Sequence, residues 1–299
     1  MKAKTYETPA AFKRALEDRL KAGSKTGVDF ARRRQLLVFD RFLARVAATF
    51  GDGVILKGGL VLELRLERAR TTKDIDLRLQ GNSDDVLPKL RAAGQLDLND
   101  FMAFEIGADP DNPEITGDGV QYDGFRYRAE CRLAEKIYGQ PFGVDIAFGD
   151  PLLGEVEQFT AEDVLAFAGI APPTLRLYPV ETHLAEKLHA YTLPRLRPNT
   201  RVKDLPDLAL LGTIRELDAE MVRAALQRTF TFRGVQPLPS ILPSPPEAWA
   251  VPYARMAEQD GLPWRTLGDL ELTVRALLDP VLGGPLRGRW SPRFWQWYS

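Results

Sequence analysis

Apolar residues recur with helical spacing at the start of the chain. Phe12, Leu16 and Leu20 lie four positions apart within residues 9–24, so they share one face of a helix. Thr8, directly before this run, is a residue type that caps helix N-termini. The spacing therefore predicts an amphipathic helix over residues 9–24 with one buried face.

Short apolar runs and helical stripes then alternate up to about residue 160. The patterns predict helices over 27–49, 58–68, 83–92 and 97–100. They predict strands over 54–57, 74–79, 101–107, 125–134 and 142–149, with an exposed loop over 108–119. This alternation is typical of a mixed α/β fold.

Helical spacing dominates the rest of the chain. A short strand at 175–178 is flanked by helices predicted over 161–169, 180–193, 202–217, 218–229, 245–258 and 267–281. The fold class is therefore α/β in the broad sense (α+β), with a mixed β-sheet core flanked by helices and then a mostly helical C-terminal half. We expect the division to fall between residues 1–160 and residues 161–299.

Composition restricts the possible chemistry of the protein more than it restricts the possible folds. Apolar residues make up 44% and charged residues 27% of the chain, which is ordinary for a globular protein. We find no apolar run long enough for a membrane span and no signal-peptide core in MKAKTYETPA, so we expect a cytoplasmic protein. One cysteine and two histidines argue against disulfides and zinc. A metal would have to be a hard cation held by carboxylates.

Charge is distributed unevenly along the chain. Residues 1–50 carry 12 Lys and Arg against 5 Asp and Glu, whereas residues 81–120 carry 2 against 9. Residues 171–203 are again basic, with 6 against 2. Such segments are able to hold a polyanion on one face, or to pair with one another.

Two carboxylates stand out on one predicted strand. Asp74 and Asp76 lie two residues apart, so their side chains project from the same face. Neighbouring carboxylates repel each other, a penalty that Mg²⁺ removes. If the strand carrying Asp145 is adjacent, three carboxylates converge and hold two metal ions for an in-line displacement at phosphate. Asp-x-Asp also occurs by chance on solvated strand faces, and that alternative stays open.

A strand-to-helix turn, LKGGL, precedes this strand. Gly58 and Gly59 would let backbone N–H groups approach a phosphate at a helix N-terminus, and Lys57 would add a positive charge. Glycine pairs also serve ordinary tight turns. We expect Asp74 and Asp76 to face a cleft against Gly58 and Gly59.

A family resemblance rests on three segments: LKGGLVLELRLERARTTKDIDL at 56–77, HLAEKLHA at 183–190 and RVKDLPDLALL at 201–211. Together they resemble the AbiEii/AbiGii-type toxin group of the DNA polymerase β-like nucleotidyltransferase superfamily. The shared features are the Gly-Gly turn, the Asp-apolar-Asp strand, the Glu-Lys-Leu segment and the Arg-x-Lys-Asp-x-x-Asp-Leu segment. The similarity covers roughly residues 30–215.

The resemblance implies a metal-dependent nucleotidyltransferase core in the first half. It implies transfer of a nucleoside monophosphate from an NTP to an RNA acceptor, with the tRNA 3′ end as the leading candidate, and Mg²⁺ or Mn²⁺ as the cofactor. It further implies a toxin with a cognate antitoxin protein as partner. The basic segments agree with an RNA acceptor.

The resemblance also implies roles for residues outside the carboxylate strand. Lys187 would contact nucleotide phosphates, and Asp207 would be needed for activity. Asp204 would assist nucleotide binding or would serve the first turn of its helix. Arg70 and Thr72 would touch the triphosphate or merely start the strand.

Two other functions stay open. One is transfer to a small molecule such as an aminoglycoside, which acidic residues from 97–118 lining the cleft would favour. The other is an inactive fold that only binds NTP or RNA. We expect His183 to be a surface or packing residue rather than a base. The aromatic and basic tail at 287–299 would stack on bases or, as we favour, dock on the domain.

Overall fold

The computed structural model describes residues 4–66, 72–81, 85–110, 124–195 and 201–299. Helices α1 to α9 span Pro9–Ala22, Gly27–Phe50, Gly58–Arg65, Val86–Gly94, Val180–Thr192, Asp204–Gly212, Ala219–Arg233, Ala250–Gln259 and Leu267–Leu282. Strands β1 to β11 span Val54–Lys57, Ile75–Leu79, Met102–Ala108, Gly124–Leu133, Lys136–Ile137, Phe142–Phe148, Glu157–Thr160, Thr174–Leu177, Leu217–Asp218, Arg289–Ser291 and Gln296–Tyr298.

The main sheet has eight strands in the order β3-β4-β6-β2-β1-β8-β7, with β5 paired to β4. The pairs β1–β8 and β2–β6 are parallel, and the other pairs are antiparallel. A mixed sheet flanked by helices confirms the predicted fold class. Its central strands, β6, β2 and β1, bring together segments that are far apart in sequence.

One face of the sheet is covered by α1, α2 and α4. Ile75, Leu77 and Leu79 of β2 are buried in the hydrophobic core on this side. Phe42 of α2 packs into the same core, with its ring centroid 5.3 Å from that of Phe142 on β6. Since side chains alternate along a strand, the residues between these apolar positions face the other side of the sheet.

The later helices form a second hydrophobic core among the described residues. Leu184 and Leu188 of α5 pack in it with Leu208 of α6 and Leu277 of α9. Leu62 of α3 belongs to this core as well, although α3 follows β1 directly in the chain. Helix α3 therefore joins the sheet to the helical part of the molecule.

The aromatic tail docks on the second core, as favoured from the sequence. Trp290 is fully buried, and its indole N–H donates to the carbonyl of Gly212 at 2.8 Å. The indole N–H groups of Trp295 and Trp297 donate to carbonyls of α9, both at 2.9 Å. These three rings are therefore packing residues and are not presented to a nucleic acid.

Several predicted elements have different bounds in the structure. Residues 97–100 are not helical, because Asn99 has a left-handed φ of 57° and Asp100 turns inward to an ion pair. The helix predicted over 202–217 is limited to α6, since Leu217 enters β9 and pairs with β10. The strand β7 was not predicted, and most of the loop predicted over 108–119 lies outside the described residues. Within the described ranges, no helix combines the length and apolar character that crossing a bilayer requires.

Candidate active site

A row of four charged residues crosses the sheet on the face opposite α1, α2 and α4. The register pairs Lys57 with Asp76, Asp76 with Asp145, and Asp145 with Arg126. Residues directly opposite one another on neighbouring strands project to the same face. Lys57, Asp76, Asp145 and Arg126, which we call the charge row, therefore lie side by side across β1, β2, β6 and β4.

Gly58 lies directly against Asp76 at the start of α3. Its φ is +71°, and a Cβ atom at this position would lie 1.9 Å from Oδ2 of Asp76. Only glycine fits both the backbone conformation and the available space. Gly59 follows in the first turn of α3 and is buried. The turn therefore places the N-terminus of α3 beside the carboxylate, as a phosphate cradle next to a metal ligand would require.

Asp76 carries an electrostatic penalty in this position. Burial raises its pKa to about 6, the charges of Asp145 and Asp74 add to the effect, and Lys57 and Lys187 oppose it. A bound divalent cation would offset both the burial and the repulsion. The surroundings of Asp76 therefore suit a metal ligand.

Asp74 precedes β2 and is exposed, and the side chain nearest to Gly58 is that of Asp76. Its Oδ1 accepts a hydrogen bond from the backbone N–H of Gly143 at 3.2 Å, and a Cβ atom on Gly143 would lie 2.7 Å from that oxygen. Gly143 lies two residues before Asp145 on β6, so Asp74 faces the same side of the sheet as Asp76 and Asp145. Asp74 remains open to a ligand from the solvent side.

Thr72 shapes the approach to β2. Its backbone N–H donates to Glu63 of α3 at 3.2 Å, and its hydroxyl donates to the carbonyl of Asp74 at 3.3 Å. Arg32 of α2 pairs with the same Glu63 and donates to the carbonyl of Thr72 at 3.0 Å. These contacts order the turn before the carboxylates. Arg70 lies outside the described residues.

Asp145 is held by an arginine. The Nε and Nη2 groups of Arg126 donate to its two oxygens at 2.7 and 2.6 Å, a bidentate pair. In the part of the chain that the structure describes, no three Asp, Glu, His or Cys side chains are arranged to hold a metal ion. Asp74 and Asp76 fit a divalent cation, and Asp145 fits one only if Arg126 moves away.

Lys57 points into a buried ion network. Its ammonium donates to Asp150 at 2.6 Å and to Glu186 of α5 at 2.9 Å. Arg233 of α7 contacts the same two carboxylates at 3.2 and 3.4 Å, and the hydroxyl of Tyr178 donates to Glu186 at 2.9 Å. The network joins the end of β1 to two helices of the second core.

Four further residues, the Lys187 cluster, face the charge row from α5, α6 and the segment just before α6: Lys187, Arg201, Asp204 and Asp207. Lys187 donates to Asp207 at 2.7 Å and to Asp204 at 3.3 Å, and Arg201 also pairs with Asp204. Both aspartates are fully buried in the first turn of α6. Burial lowers the pKa of Arg201, but Asp204, Asp76 and Asp207 outweigh it and hold the pKa above its ordinary value. The cluster is thus within electrostatic range of Asp76.

His183 lies behind this cluster and is buried. Burial and the charge of Lys187 hold its pKa well below the ordinary value, so the imidazole is neutral. Neither ring nitrogen has a hydrogen-bond partner among the described residues. Of the two expected roles, this environment fits packing and not a surface position.

A family model decides the class of the protein. The model for the nucleotidyl transferase AbiEii toxin of type IV toxin–antitoxin systems matches residues 41–279. The chain belongs to the AbiEii nucleotidyltransferase toxin family. The resemblance and the enzyme class inferred from the sequence are thereby confirmed, and the match includes every member of the charge row and the Lys187 cluster.

Solved structures similar to this AbiEii-family chain have low sequence identity. The nucleotidyltransferase toxin MenT4 of Mycobacterium tuberculosis H37Rv is 20% identical, with 74% of this chain and 69% of that chain covered and a TM-score of 0.48. JHP933 of Helicobacter pylori is 16% identical over 86% and 96%, with a TM-score of 0.44. ANT(2″)-Ia, solved with adenylyl-2″-tobramycin, is 18% identical over 66% and 98%, with a TM-score of 0.36. A search of curated proteins gives no significant match.

Sequence reasoning missed several charged residues around this AbiEii-family site. Arg126, Asp150, Arg201 and Arg233 were not singled out, and Glu186 was passed over although it directly precedes the predicted lysine of α5. Their partners lie 3 to 129 residues away in the chain. Only Glu186 and Arg201 carried a signal, since both fall within the segments that show the family resemblance.

Proposed function

We propose that this nucleotidyltransferase transfers a nucleoside monophosphate from an NTP to an RNA acceptor, with tRNA as the leading candidate. The observation that carries the proposal is the meeting of Asp76 with Gly58 at the start of α3, within range of Lys187. This places a carboxylate, a helix N-terminus and a lysine around one position. Such a set suits a triphosphate with its metal.

A divalent cation, Mg²⁺ or Mn²⁺, would be held by Asp74 and Asp76 and would neutralise phosphate charge and lower the pKa of the acceptor hydroxyl. The N–H groups at Gly58 and Gly59 would donate hydrogen bonds to phosphate oxygens. Lys187, oriented by Asp207 at 2.7 Å, would stabilise negative charge on the phosphates.

The proposed reaction is a displacement at the α-phosphorus of the NTP. The acceptor hydroxyl oxygen bonds to the α-phosphorus, the α–β phosphate bond breaks, pyrophosphate leaves, and the hydroxyl proton passes to water. The chain contributes mainly position and charge. Lys57, held by Asp150 and Glu186, would act as a positioning residue that fixes the end of β1.

RNA fits the described surroundings better than a small cationic acceptor does. Two acidic residues of the segment expected to attract a cation are engaged elsewhere: Asp100 is buried against two arginines, and Glu105 pairs with Arg132. On the other side of the site, α6 is preceded by Arg201, which is partly exposed. We therefore favour a polyanionic acceptor and, consistent with the family, a cognate antitoxin that restrains the enzyme.

Labelling tests the proposal directly. The protein is incubated with Mg²⁺, each α-labelled NTP in turn and total RNA, and the products are separated by size. We expect label in RNA of tRNA size, and a loss of at least about 100-fold in Asp76→Asn. Asp52→Asn, an exposed change at the opposite end of β1, is the matched control. Wild-type labelling by Asp76→Asn would refute the metal site, and labelling of a small molecule but not of RNA would refute the acceptor.

A further inference from the structure

The pair between Arg126 and Asp145 lies where the proposed metal site would gain its third carboxylate. Asp145 is directly beside Asp76 in the parallel register of β6 and β2. Both of its oxygens accept hydrogen bonds from Arg126, at 2.7 and 2.6 Å. A divalent cation needs at least one of these oxygens at about 2.0–2.1 Å, the Mg²⁺–oxygen distance.

The position of Arg126 in the fold explains why it reaches this carboxylate. It lies directly opposite Asp145 in the antiparallel register of β4 and β6, so the two side chains share a face. The hydrogen bonds to Asp145 hold the pKa of Arg126 above its ordinary value against the opposing effect of burial, and the charges of Asp145, Asp74 and Asp109 add to this. In the free protein, the guanidinium of Arg126 is therefore the cation that Asp145, Asp74 and Asp109 attract.

The pair is placed so that it can open. The side chain of Arg126 is 40% exposed and that of Asp145 is 16% exposed, so water reaches the arginine. Because water can solvate the released guanidinium, such a pair opens more readily than a fully buried one. A guanidinium and a divalent cation cannot share the same carboxylate oxygens without strong repulsion.

We propose that Arg126 is a tethered competitor of the divalent cation, which occupies Asp145 in the free enzyme and must leave before Asp145 can bind metal. The proposal rests on the proposed metal site and adds a residue that controls how readily the site is loaded. Asp74 and Asp76 provide the first ligands, and Arg126 determines whether the third one is available. Arg126 is in this sense a regulatory residue and not a metal ligand.

Binding of Mn²⁺ to the free protein, measured from the electron paramagnetic resonance signal of unbound Mn²⁺, tests this without any catalytic turnover. Arg126→Gln removes the competing charge, and we expect it to bind Mn²⁺ roughly three- to tenfold more tightly than wild type. In an Asp145→Asn background the same change should have no effect, because the contested ligand is gone.

Arg132→Gln is the matched control. Arg132 lies on the same strand, its side chain is 39% exposed, and it pairs with Glu105 and Glu130 away from the charge row. We expect this variant to bind Mn²⁺ as wild type does. Equal tightening in both variants would show a general effect of net charge and would overturn the proposal.

The possible outcomes distinguish a failure of the proposed metal site from a failure of the proposed competition by Arg126. If Asp76→Asn leaves Mn²⁺ binding unchanged, the proposed metal site is wrong. If Asp76→Asn weakens binding while Arg126→Gln matches wild type or binds more weakly, the metal site stands and the competition is wrong. Tightening by Arg126→Gln that persists with Asp145→Asn, or no binding by any variant, also overturns the competition.

Discussion

Two buried ion-pair groups of similar composition lie on opposite sides of the sheet. The Asp100 cluster, formed by Arg41, Arg45 and Asp100, lies under α2, whereas the Lys187 cluster lies between α5 and α6. Each joins distant parts of the chain through carboxylates that are fully buried. They differ in what surrounds them.

The Asp100 cluster is closed by the protein itself. Arg45 donates to both oxygens of Asp100 at 2.9 and 2.6 Å, Arg41 donates at 2.8 Å, and the backbone N–H of Met102 donates at 3.0 Å. Burial raises the pKa of Asp100, but the hydrogen bonds and charges of the arginines outweigh it and hold the pKa below its ordinary value. Its side chains are 0–3% exposed, which leaves no room for a substrate.

The Lys187 cluster has an open side. Arg201 is 38% exposed, and Asp76, with its raised pKa, lies within electrostatic range. Burial and ion pairing alone therefore do not identify a functional site, because both clusters have them. The open side and the raised pKa of Asp76 favour the Lys187 cluster as part of the candidate site, because a bound ligand would offset the cost of that buried charge.

Replacement of Lys187 should have the largest effect on activity. We expect Lys187→Met to lower kcat for nucleotide transfer by about 100- to 1000-fold, the range for removing one charge-stabilising donor. The single change also leaves two buried aspartates with less compensation, so stability will fall as well. Rates are therefore normalised to folded protein, measured by circular dichroism.

The double variant Lys187→Met with Asp207→Asn is the control for that loss of stability. It removes a positive and a negative partner together, so Tm should recover towards wild type while transfer stays low. Recovery of transfer together with Tm would show that Lys187 is only structural.

Replacement of Arg45 should affect stability instead. We expect Arg45→Ala to reduce the free energy of unfolding by about 3–5 kcal/mol, because Asp100 would keep a buried charge with fewer partners. Thermal unfolding should show a Tm lower by about 10 °C. Transfer by the remaining folded protein, measured well below that Tm, should match wild type. A drop in specific rate comparable to that of Lys187→Met would remove the distinction between the clusters.

The sequence predicts the central elements of the fold well because their signals are local. The helical stripe of α1, the strand at Val54–Lys57 and the strand with Ile75, Leu77 and Leu79 all follow from apolar spacing. The helix predicted over residues 97–100 is absent because a buried ion pair with distant arginines, rather than local propensity, determines the conformation of Asp100. The outcome of a long-range contact is not encoded in local spacing.

The same distinction applies to the candidate site. Residue spacing identified Asp74, Asp76 and Asp145 as candidate metal ligands. The segments that show the family resemblance identified Lys187 and Asp207 as candidate catalytic residues. The direction of Asp74 and the pairing of Asp145 with Arg126 depend on strand register and side-chain competition. Arg126 looks like any exposed strand arginine in the sequence, because its partner is identified only when β4 and β6 are aligned.

Arg201 offers a smaller test of the open side. We expect Arg201→Gln to raise KM for the NTP by about tenfold, which corresponds to the loss of one charged contact to phosphate. The effect on kcat should be smaller, because Lys187 retains Asp207. Steady-state kinetics over a range of NTP concentrations separates the two constants. Arg287→Gln, at a position whose side chain is 93% exposed, is the control and should change neither constant. A fall in kcat with unchanged KM would place Arg201 outside the ground-state binding site.

Replacement of Asp40 should have the smallest effect and gives the most specific test, because Asp40 is a buried carboxylate without full charge compensation beside the Asp100 cluster. Burial raises its pKa to about 7, the charge of Asp100 adds to this, and Arg41 only partly opposes it. The folded state therefore binds the proton more tightly than the unfolded state, whose pKa is 3.8, and stability decreases as pH rises from 3.8 to about 7.

Asp40→Asn removes this penalty, so its Tm should exceed that of wild type by about 2–4 °C at pH 8, the shift for ~1 kcal/mol. The advantage should shrink at pH 5, where the wild-type carboxyl is protonated in the folded state. Transfer activity should be unchanged, because the contacts of Asp40 lie in the closed cluster. An advantage of equal size at both pH values would assign the effect to packing and not to charge.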